Sequence, residues 1–398
     1  MTIEEGLISP DLGVISGVRQ TRGRPGTISA PAVMMSMPKL ATWTKSDAPD
    51  RPATGFGFSA SRLIGSGTGE VVERYSAAIV PDDLPDISHD RRVDIERWIP
   101  FSDRQYARSG FPFIDPRTTE IKYVWAFDPV EGSSVGVPAD LVYLRATGEE
   151  WCTISSNGLA AHRSAGAAAR AAVFELIERD SFLRSWYGGL SHPVLEAGTL
   201  LAEADGRWGL SPSLLDLIRR VVRSAVSLTL VKMPAAGGLF GVLACARSSR
   251  IGLAVGCAAK PTMAEAVHSA IVEAVQTYNW ALTMSPGTAA SGIDSLESHI
   301  AFHSNPANAP ASRFIDSGSR TNLATFLSGV PVSLEGAINR CHEAGWSIYL
   351  ADVTSSDARK AGWHVIRALS PQAATLDVTE IHERQHRNLV TTAPHPFP

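Results

Sequence analysis

Two stretches of this chain repeat one arrangement of charge. Glu70-Val-Val-Glu73-Arg74-Tyr75-Ser76 and Glu175-Leu-Ile-Glu178-Arg179-Asp180-Ser181 both read ExxERxS. Carboxylates three residues apart share one face of a helix, and an arginine four residues after the first glutamate can reach it. Taken singly, either copy reads as a solvated ion pair worth about 0.2–0.5 kcal/mol. The residues between the acids argue for more, because Val71, Val72, Leu176 and Ile177 are apolar and Phe174 and Phe182 extend the apolar surface of the second copy. Half-buried carboxylates repel one another unless a cation neutralises them, and hard oxygen ligands at this spacing suit Mg²⁺ held between carboxylates and nucleotide phosphates. A third stretch, Glu273-Ala-Val-Gln276-Thr-Tyr278, places an amide where the second acid would stand. Gln276 can orient phosphate or ribose without adding charge. Either these are three unrelated amphipathic helices, or Glu70, Glu73, Glu175, Glu178 and Glu273 surround a triphosphate with more than one Mg²⁺ while Arg74 and Arg179 offset the charge.

The elements that must carry these residues follow from periodicity and punctuation. Residues 1 to about 55 are rich in Pro, Gly, Ser and Thr and lack sustained periodicity, which predicts an extended arm with little helix that wraps a partner or the domain itself. A helix is expected from Ser59 to Val80, followed by loops and short elements over 81–117 and strands at 121–127 and 141–146. Ser164 can cap a long helix ending at Gly188-Gly189. Beyond it come a helix near 211–222, strands at 227–233, 238–246 and 251–257, a helix over 262–282, a helix near 333–343 and strands at 347–353 and 363–369. The fold class is α/β or α+β, with one large domain over 56–398 after the arm.

The 398 residues, 44% of them hydrophobic, suffice for a large buried core and exclude disorder and fibrous repeats. A net charge of −4 gives no basic footprint for a nucleic acid or an acidic membrane. Cys152, Cys245, Cys257 and Cys341 lie far apart with no CxxC pair, which points to reduced thiols rather than zinc or a disulfide framework. The first residues lack the features of a signal peptide and no apolar run approaches the roughly 20 residues of a membrane span, so a soluble cytoplasmic protein is expected. GxxxxGK[ST] and strand–GxGxxG–helix are absent, which excludes an ordinary P-loop.

Ser156-Asn157-Gly158-Leu159-Ala160-Ala161 followed by AAVFELIERDSFLRSWY resembles the central signature of the YcaO family, ATP-dependent enzymes that modify peptide backbone amides. SGTGEVVERYS (66–76) is similar to that family's first glutamate helix and AVHSAIVEAVQ (266–276) to its third. The resemblance continues through Asp352-Val353-Thr354, Val365-Ile366-Arg367 and Pro371-Gln372 to Pro394, Pro396 and Pro398, a PxPxP ending like that of azoline-forming members, and so covers roughly 55–398. Many members carry GKG before the first helix, where this chain has Gly55-Phe56-Gly57, and a Gly-Asn pair where it has His162-Arg163. These departures resemble the freestanding cyclodehydratase subunit of microcin-type azole synthetases.

The resemblance implies a YcaO-type fold of mixed sheets with helices carrying an ATP and Mg²⁺ site. The five glutamates would ligate Mg²⁺, with Ser66, Arg74, Arg179 and Gln276 at phosphates or ribose, Arg367 beside them, and Arg62 in place of the missing lysine. Pro394, Pro396 and Pro398 would hold the peptide, the carboxylate of Pro398 assisting proton removal. The implied activity is ATP-dependent cyclodehydration of Cys, Ser or Thr in a ribosomal precursor peptide. A leader-binding, ubiquitin-activating-like partner subunit, for which the chain shows no obvious room, and an FMN-dependent azoline dehydrogenase would complete the synthetase. Thioamide or amidine formation by the same chemistry, and a scaffold without turnover, are the rival outcomes.

Overall fold

A computed structural model of the chain describes residues 7–8, 13–21, 26–37, 53–284, 293, 295–374, 376, 390–391 and 393–397. Three short strands, β1 (Gly17–Gln20), β2 (Ala32–Ser36) and β3 (Ala53–Phe56), form an antiparallel sheet in that order. It lies against helix α1 (Ala60–Ala78), with Val33 and Met35 buried beside Val71 and Val72. Ser59 opens α1 by accepting a hydrogen bond from the Arg62 N–H at 3.3 Å. Where described, the expected arm is thus a sheet packed on the first helix, and a boundary at residue 55 falls inside β3. Its signal is faint because AVMMS alternates only a valine and a methionine inward against alanine, methionine and serine outward.

A five-stranded antiparallel sheet follows. It is made by β4 (Tyr123–Asp128), β5 (Ser133–Pro138), β6 (Leu159–His162) and two strands from the end of the chain. The expected strand at 141–146 is instead a turn: the Val142 and Tyr143 N–H groups both donate to the Ala139 carbonyl, at 2.9 and 3.0 Å. Asp140 pins that turn by accepting from the Thr147 N–H at 2.6 Å and from Trp151 Nε1 at 2.8 Å. Helix α2 (Ala165–Tyr187) begins where Ser164 accepts from the Ala167 N–H, as the capping signal predicts.

The second large sheet is antiparallel, of order β10-β9-β8-β7. It comprises β7 (Val194–Glu196), then, after helix α3 (Pro212–Arg223), β8 (Ser227–Met233), β9 (Phe240–Arg247) and β10 (Ala254–Lys260). The last strand starts later than expected because Gly252 and Leu253 spend their N–H groups on the carbonyls of Ser304 and His303. Helix α4 (Met263–Ala281) covers this sheet, α5 (Leu296–Ser304) and α6 (Leu334–Glu343) follow, and β11 (Tyr349–Asp352) and β12 (His364–Leu369) return to the five-stranded sheet, whose order is β5-β4-β11-β12-β6.

Helix α2 joins the two large sheets, which explains why it is apolar nearly all round. Ala168, Ala172 and Leu176 in its first half pack with Ile366 and Ala368 of β12. Phe182, Leu183 and Trp186 in its second half pack with Val231, Leu243 and Val255 of the other sheet. Glu175 and Glu178 therefore sit where the helix passes from one sheet to the other.

Candidate functional site

Two glycines let the site close. Gly158 of the SNGLAA run has a φ of +74°, and a Cβ there would lie 2.4 Å from the Ala368 carbonyl oxygen, to whose residue it is tied by an Ala368 N–H bond of 2.7 Å. A side chain at that position would push β12 and its Arg367 away. Gly256 in β10 lies so close to α4 that a Cβ would meet the Ala270 oxygen and the Ala274 nitrogen, each at 2.3 Å. That approach lets Glu273 of α4 accept the Cys257 N–H at 2.8 Å, while Glu178 of α2 accepts the Ala259 N–H at 3.3 Å. On the far side, Glu70 accepts the Thr54 N–H at 2.8 Å and pairs with Arg74 at 2.6 Å.

The five glutamates form one electrostatic group. Burial, then the charges of Glu175 and Glu70, push the Glu73 carboxyl well above the usual carboxylate range, against Arg74 and Arg367. Burial likewise pushes Glu175 up to about 7, with Glu178 adding to it while Arg179, Arg367 and Lys260 oppose. Glu273 also rises to about 7, through burial and Glu178, against Arg179, the Cys257 N–H and Lys260. Burial pushes Arg367 down to about 10, opposed by Glu175 and Glu73. Burial pulls Arg179 down too, but Glu178, Glu175 and Glu273 together hold it above its ordinary value. Acids from three helices thus surround cations from α1, α2, β10 and β12.

The cations are not saturated. Arg179 stands 3.9 Å from Glu175 and 3.8 Å from Glu178, too far for hydrogen bonds, and its Nε and Nη1 are buried without a partner. Arg367, 5% exposed, has Nε and Nη1 in the same condition, as does the Asn157 side-chain nitrogen. Arg367 and Asn157 line a cavity of about 100 Å³, whose wall also includes Trp98, Asp140, Leu176 and Arg184. Buried donors without acceptors cost free energy, so their clustering marks a place for an acceptor-rich ligand.

The described end of the chain runs antiparallel to α2 toward this cluster. Val390 and Thr391 donate to the Tyr187 carbonyl at 2.7 and 3.2 Å. Pro394 and Pro396 are buried. Phe397 is fully buried, its ring 4.6 Å from that of Phe182 and 4.1 Å from the Arg179 guanidinium carbon above it, an attraction worth roughly 0.5–2 kcal/mol. Pro398 lies outside the described residues.

A sequence profile described as YcaO cyclodehydratase, ATP- and Mg²⁺-binding, matches residues 54–374. The chain belongs to the YcaO family. No curated protein sequence matches it. Its fold is similar to that of a heterocyclase solved in complex with substrate and cofactor, with a TM-score of 0.72 and 20% identity over 94% of this chain and 52% of that one. It is also similar to a YcaO protein from Methanopyrus kandleri bound with AMPPCP and Mg²⁺ (TM-score 0.61, 20% identity, 90% and 86% of the two chains). The E. coli microcin synthetase McbBCD complex matches as well (TM-score 0.60, 16% identity, 89% and 88%). The chain spans about half the length of the two heterocyclase chains it matches, at 52% and 46%. The α/β YcaO fold expected from the sequence is the one observed.

ATP and Mg²⁺ are the cofactors of the family, and the residues present fit them. A dication relieves the repulsion that raises Glu73, Glu175 and Glu273, and phosphate oxygens are the acceptors that Arg179 and Arg367 lack. Among the described residues no group of three His, Cys, Asp or Glu side chains can hold a metal ion on its own. Glu70, Glu178 and Glu273 are instead turned onto backbone N–H groups. Mg²⁺ needs only one or two carboxylates when phosphates and water supply the rest.

Of the other expected site residues, Gln276 is half-buried on α4, one turn beyond Glu273. The Ser66 hydroxyl accepts from the Phe56 N–H at 2.8 Å and donates to the Phe56 carbonyl at 3.1 Å, fastening β3 to α1. Arg62 is exposed in the first turn of α1, where its charge adds to burial in lowering the pKa of His268. Lys260 was not expected at the site, yet it acts on both Glu175 and Glu273. Its sequence context, the end of a strand before a capping Thr262, gives no hint of this. No helix among the described residues is long and apolar enough to cross a membrane.

Proposed function

We propose that the chain catalyses ATP-dependent cyclodehydration of Cys, Ser or Thr residues in a ribosomally made precursor peptide, giving thiazoline or oxazoline. The reading involves attack by the side-chain thiol or hydroxyl on the preceding carbonyl carbon and transfer of the terminal phosphoryl group to the resulting oxygen. Loss of phosphate with the amide proton then leaves the C=N bond. ATP supplies the leaving group that an amide oxygen otherwise lacks. The observation that carries the reading is the half-buried cluster of five glutamates with the unpartnered donors of Arg179 and Arg367. Positioned charge of this kind is what phosphoryl transfer requires, there being little covalent work for the protein to do.

In this reading Glu70, Glu73, Glu175, Glu178 and Glu273 share the Mg²⁺ ions, while Arg179, Arg367 and Lys260 face phosphate oxygens, with Arg74, Gln276 and Ser66 at the edge. The tail with Pro394, Pro396 and Pro398 presents the peptide to this cluster. The prolines fix φ at alternate residues, so little entropy is left to lose on docking. A leader-binding, ubiquitin-activating-like subunit would deliver the precursor by raising its local concentration, and an FMN-dependent dehydrogenase would oxidise azoline to azole. The structural likeness to the microcin synthetase complex, which includes a form solved with pro-MccB17 bound, supports this setting.

The test is the mass of a precursor peptide co-expressed with the chain and its partners. Loss of one water per ring, with two further hydrogens lost on oxidation, is expected. Replacement of a backbone oxygen by sulfur, or an unchanged peptide, would overturn the cyclodehydratase reading in favour of thioamide formation or a scaffold.

A further inference from the structure

Three successive backbone carbonyls of the tail are each taken by a different side chain. Trp186 Nε1 donates to the Ala393 oxygen at 3.0 Å, His303 Nε2 meets the Pro394 oxygen at 2.6 Å and His299 Nδ1 meets the His395 oxygen at 2.8 Å. His299 and His303 are one turn apart on α5 and therefore share a face. They are 1% and 2% exposed. A carbonyl only accepts, so the bonded nitrogen of each ring carries a proton. The His395 ring also stacks on His299 with centroids 4.1 Å apart, and Trp186 meets His303 edge to face at 5.5 Å. Prolines at 394 and 396 have no N–H, so this stretch cannot be held as an ordinary strand on both sides. Side-chain donors do the holding instead.

We propose that His299, His303 and Trp186 are positioning residues that grip the carbonyls of residues 393–395 and so set Phe397 on Arg179 beside the glutamate cluster. The inference rests on the reading of the tail as part of the reaction site. Arg179 is the link: its guanidinium faces Glu175 and Glu178 while its plane carries Phe397. A slack tail would misplace both the peptide and the arginine. The His303 part of the grip is built to stay neutral. Burial pushes His303 down to about 3, with His299 and Arg247 adding to this and the Pro394 carbonyl opposing, and the other ring nitrogen, Nδ1, is buried without a partner. The His299 ring lies between the tail and α5, facing the His395 ring.

The test uses the full chain with its partners and co-expressed precursor, and compares His299→Leu/His303→Leu, His299→Asn/His303→Gln and a chain ending at residue 393. The amide nitrogen of Asn stands where Nδ1 stood, and that of Gln where Nε2 stood. The leucine pair should lower the rate of ring formation at least about tenfold and speed hydrogen exchange over 390–397, with the dissociation constant for Mg-ATP within about twofold of the parent. The Asn/Gln pair should restore most of the rate, and the leucine pair should cause no further loss in the shortened chain. Parental ring formation by the leucine pair, beside a shortened chain that has lost it, would overturn the grip and leave the tail reading intact. Parental ring formation by the shortened chain would overturn the tail reading and the grip with it. Loss of Mg-ATP binding by the leucine pair without rescue by Asn/Gln would make the histidines part of the fold only, which also overturns the proposal.

Discussion

Two buried arginine sites in this molecule are built to opposite rules. Arg247 on β9 donates from Nε to Asp316 at 2.6 Å, from Nη1 to the Gly252 carbonyl and Ser312 Oγ at 2.6 and 3.1 Å, and from Nη2 to the Ser312 carbonyl and Asp316 at 3.0 and 3.1 Å. Every nitrogen has an acceptor, and both partners are 7% exposed. Arg179 is also set among carboxylates, though less deeply, and sits 3.8–3.9 Å from them with two nitrogens unserved. The first arrangement closes a structure, tying β9 to the segment that ends near Asp316. The second leaves charge of both signs held apart, which costs stability and is retained where a ligand completes it.

The comparison can be broken most violently at the closed site. Asp316→Ala leaves Arg247 buried and without its counter-charge, and should lower unfolding free energy by about 3–5 kcal/mol in denaturant melts, while the folded fraction keeps its affinity for Mg-ATP. At the open site the expected sign is reversed. Glu175→Gln removes one charge from a crowd of acids and should stabilise the ligand-free chain at pH 8 by on the order of 1–2 kcal/mol, seen as a higher melting temperature, and it should abolish the further rise that Mg-ATP gives the parent.

The pH dependence of stability sharpens the same contrast. Glu175 and Glu273 stand at about 7 in the folded chain against an ordinary value of 4.5, so between those values the folded state binds more protons than the unfolded one. Ligand-free stability should therefore fall as pH rises from about 4.5 to about 7 and then level off; Glu175→Gln/Glu273→Gln should flatten the fall. The smallest effect belongs to the exposed pair of Arg320 and Glu196, 2.7 Å apart with side chains 79% and 46% exposed. Glu196→Ala should change thermal stability by less than about 1 kcal/mol.

The open site was the legible one. Glutamates spaced three apart among Val71, Val72, Leu176 and Ile177 announce a half-buried acidic face, and helix caps at Ser59, Ser164 and Thr262 place it on three helices. The other residues assigned to it by proposal were not legible from pattern. Lys260 is an ordinary strand-end lysine, and His299 and His303 read as two more histidines until the tail is folded back onto them. The strands β1 to β3 and β5 escaped because SSVGVP and AVMMS carry little alternation, and the turn at 139–143 was mistaken for a strand because Val142 and Tyr143 look β-forming until Asp140 is seen to bind Thr147 and Trp151. Local propensity loses to such side-chain pairing seven to eleven residues away.

The central claim is that the glutamate and arginine cluster is left unsatisfied because Mg-ATP completes it. Calorimetric titration of ATP into the chain with excess Mg²⁺ at pH 7, repeated in buffers of different ionisation enthalpy, tests this directly. Carboxyls raised to about 7 must lose protons when the dication arrives. The account predicts net proton release on binding, growing as pH is lowered below 7 and greatly reduced in Glu175→Gln/Glu273→Gln together with affinity. Binding of equal strength in parent and double variant, with no dependence on buffer, would contradict it.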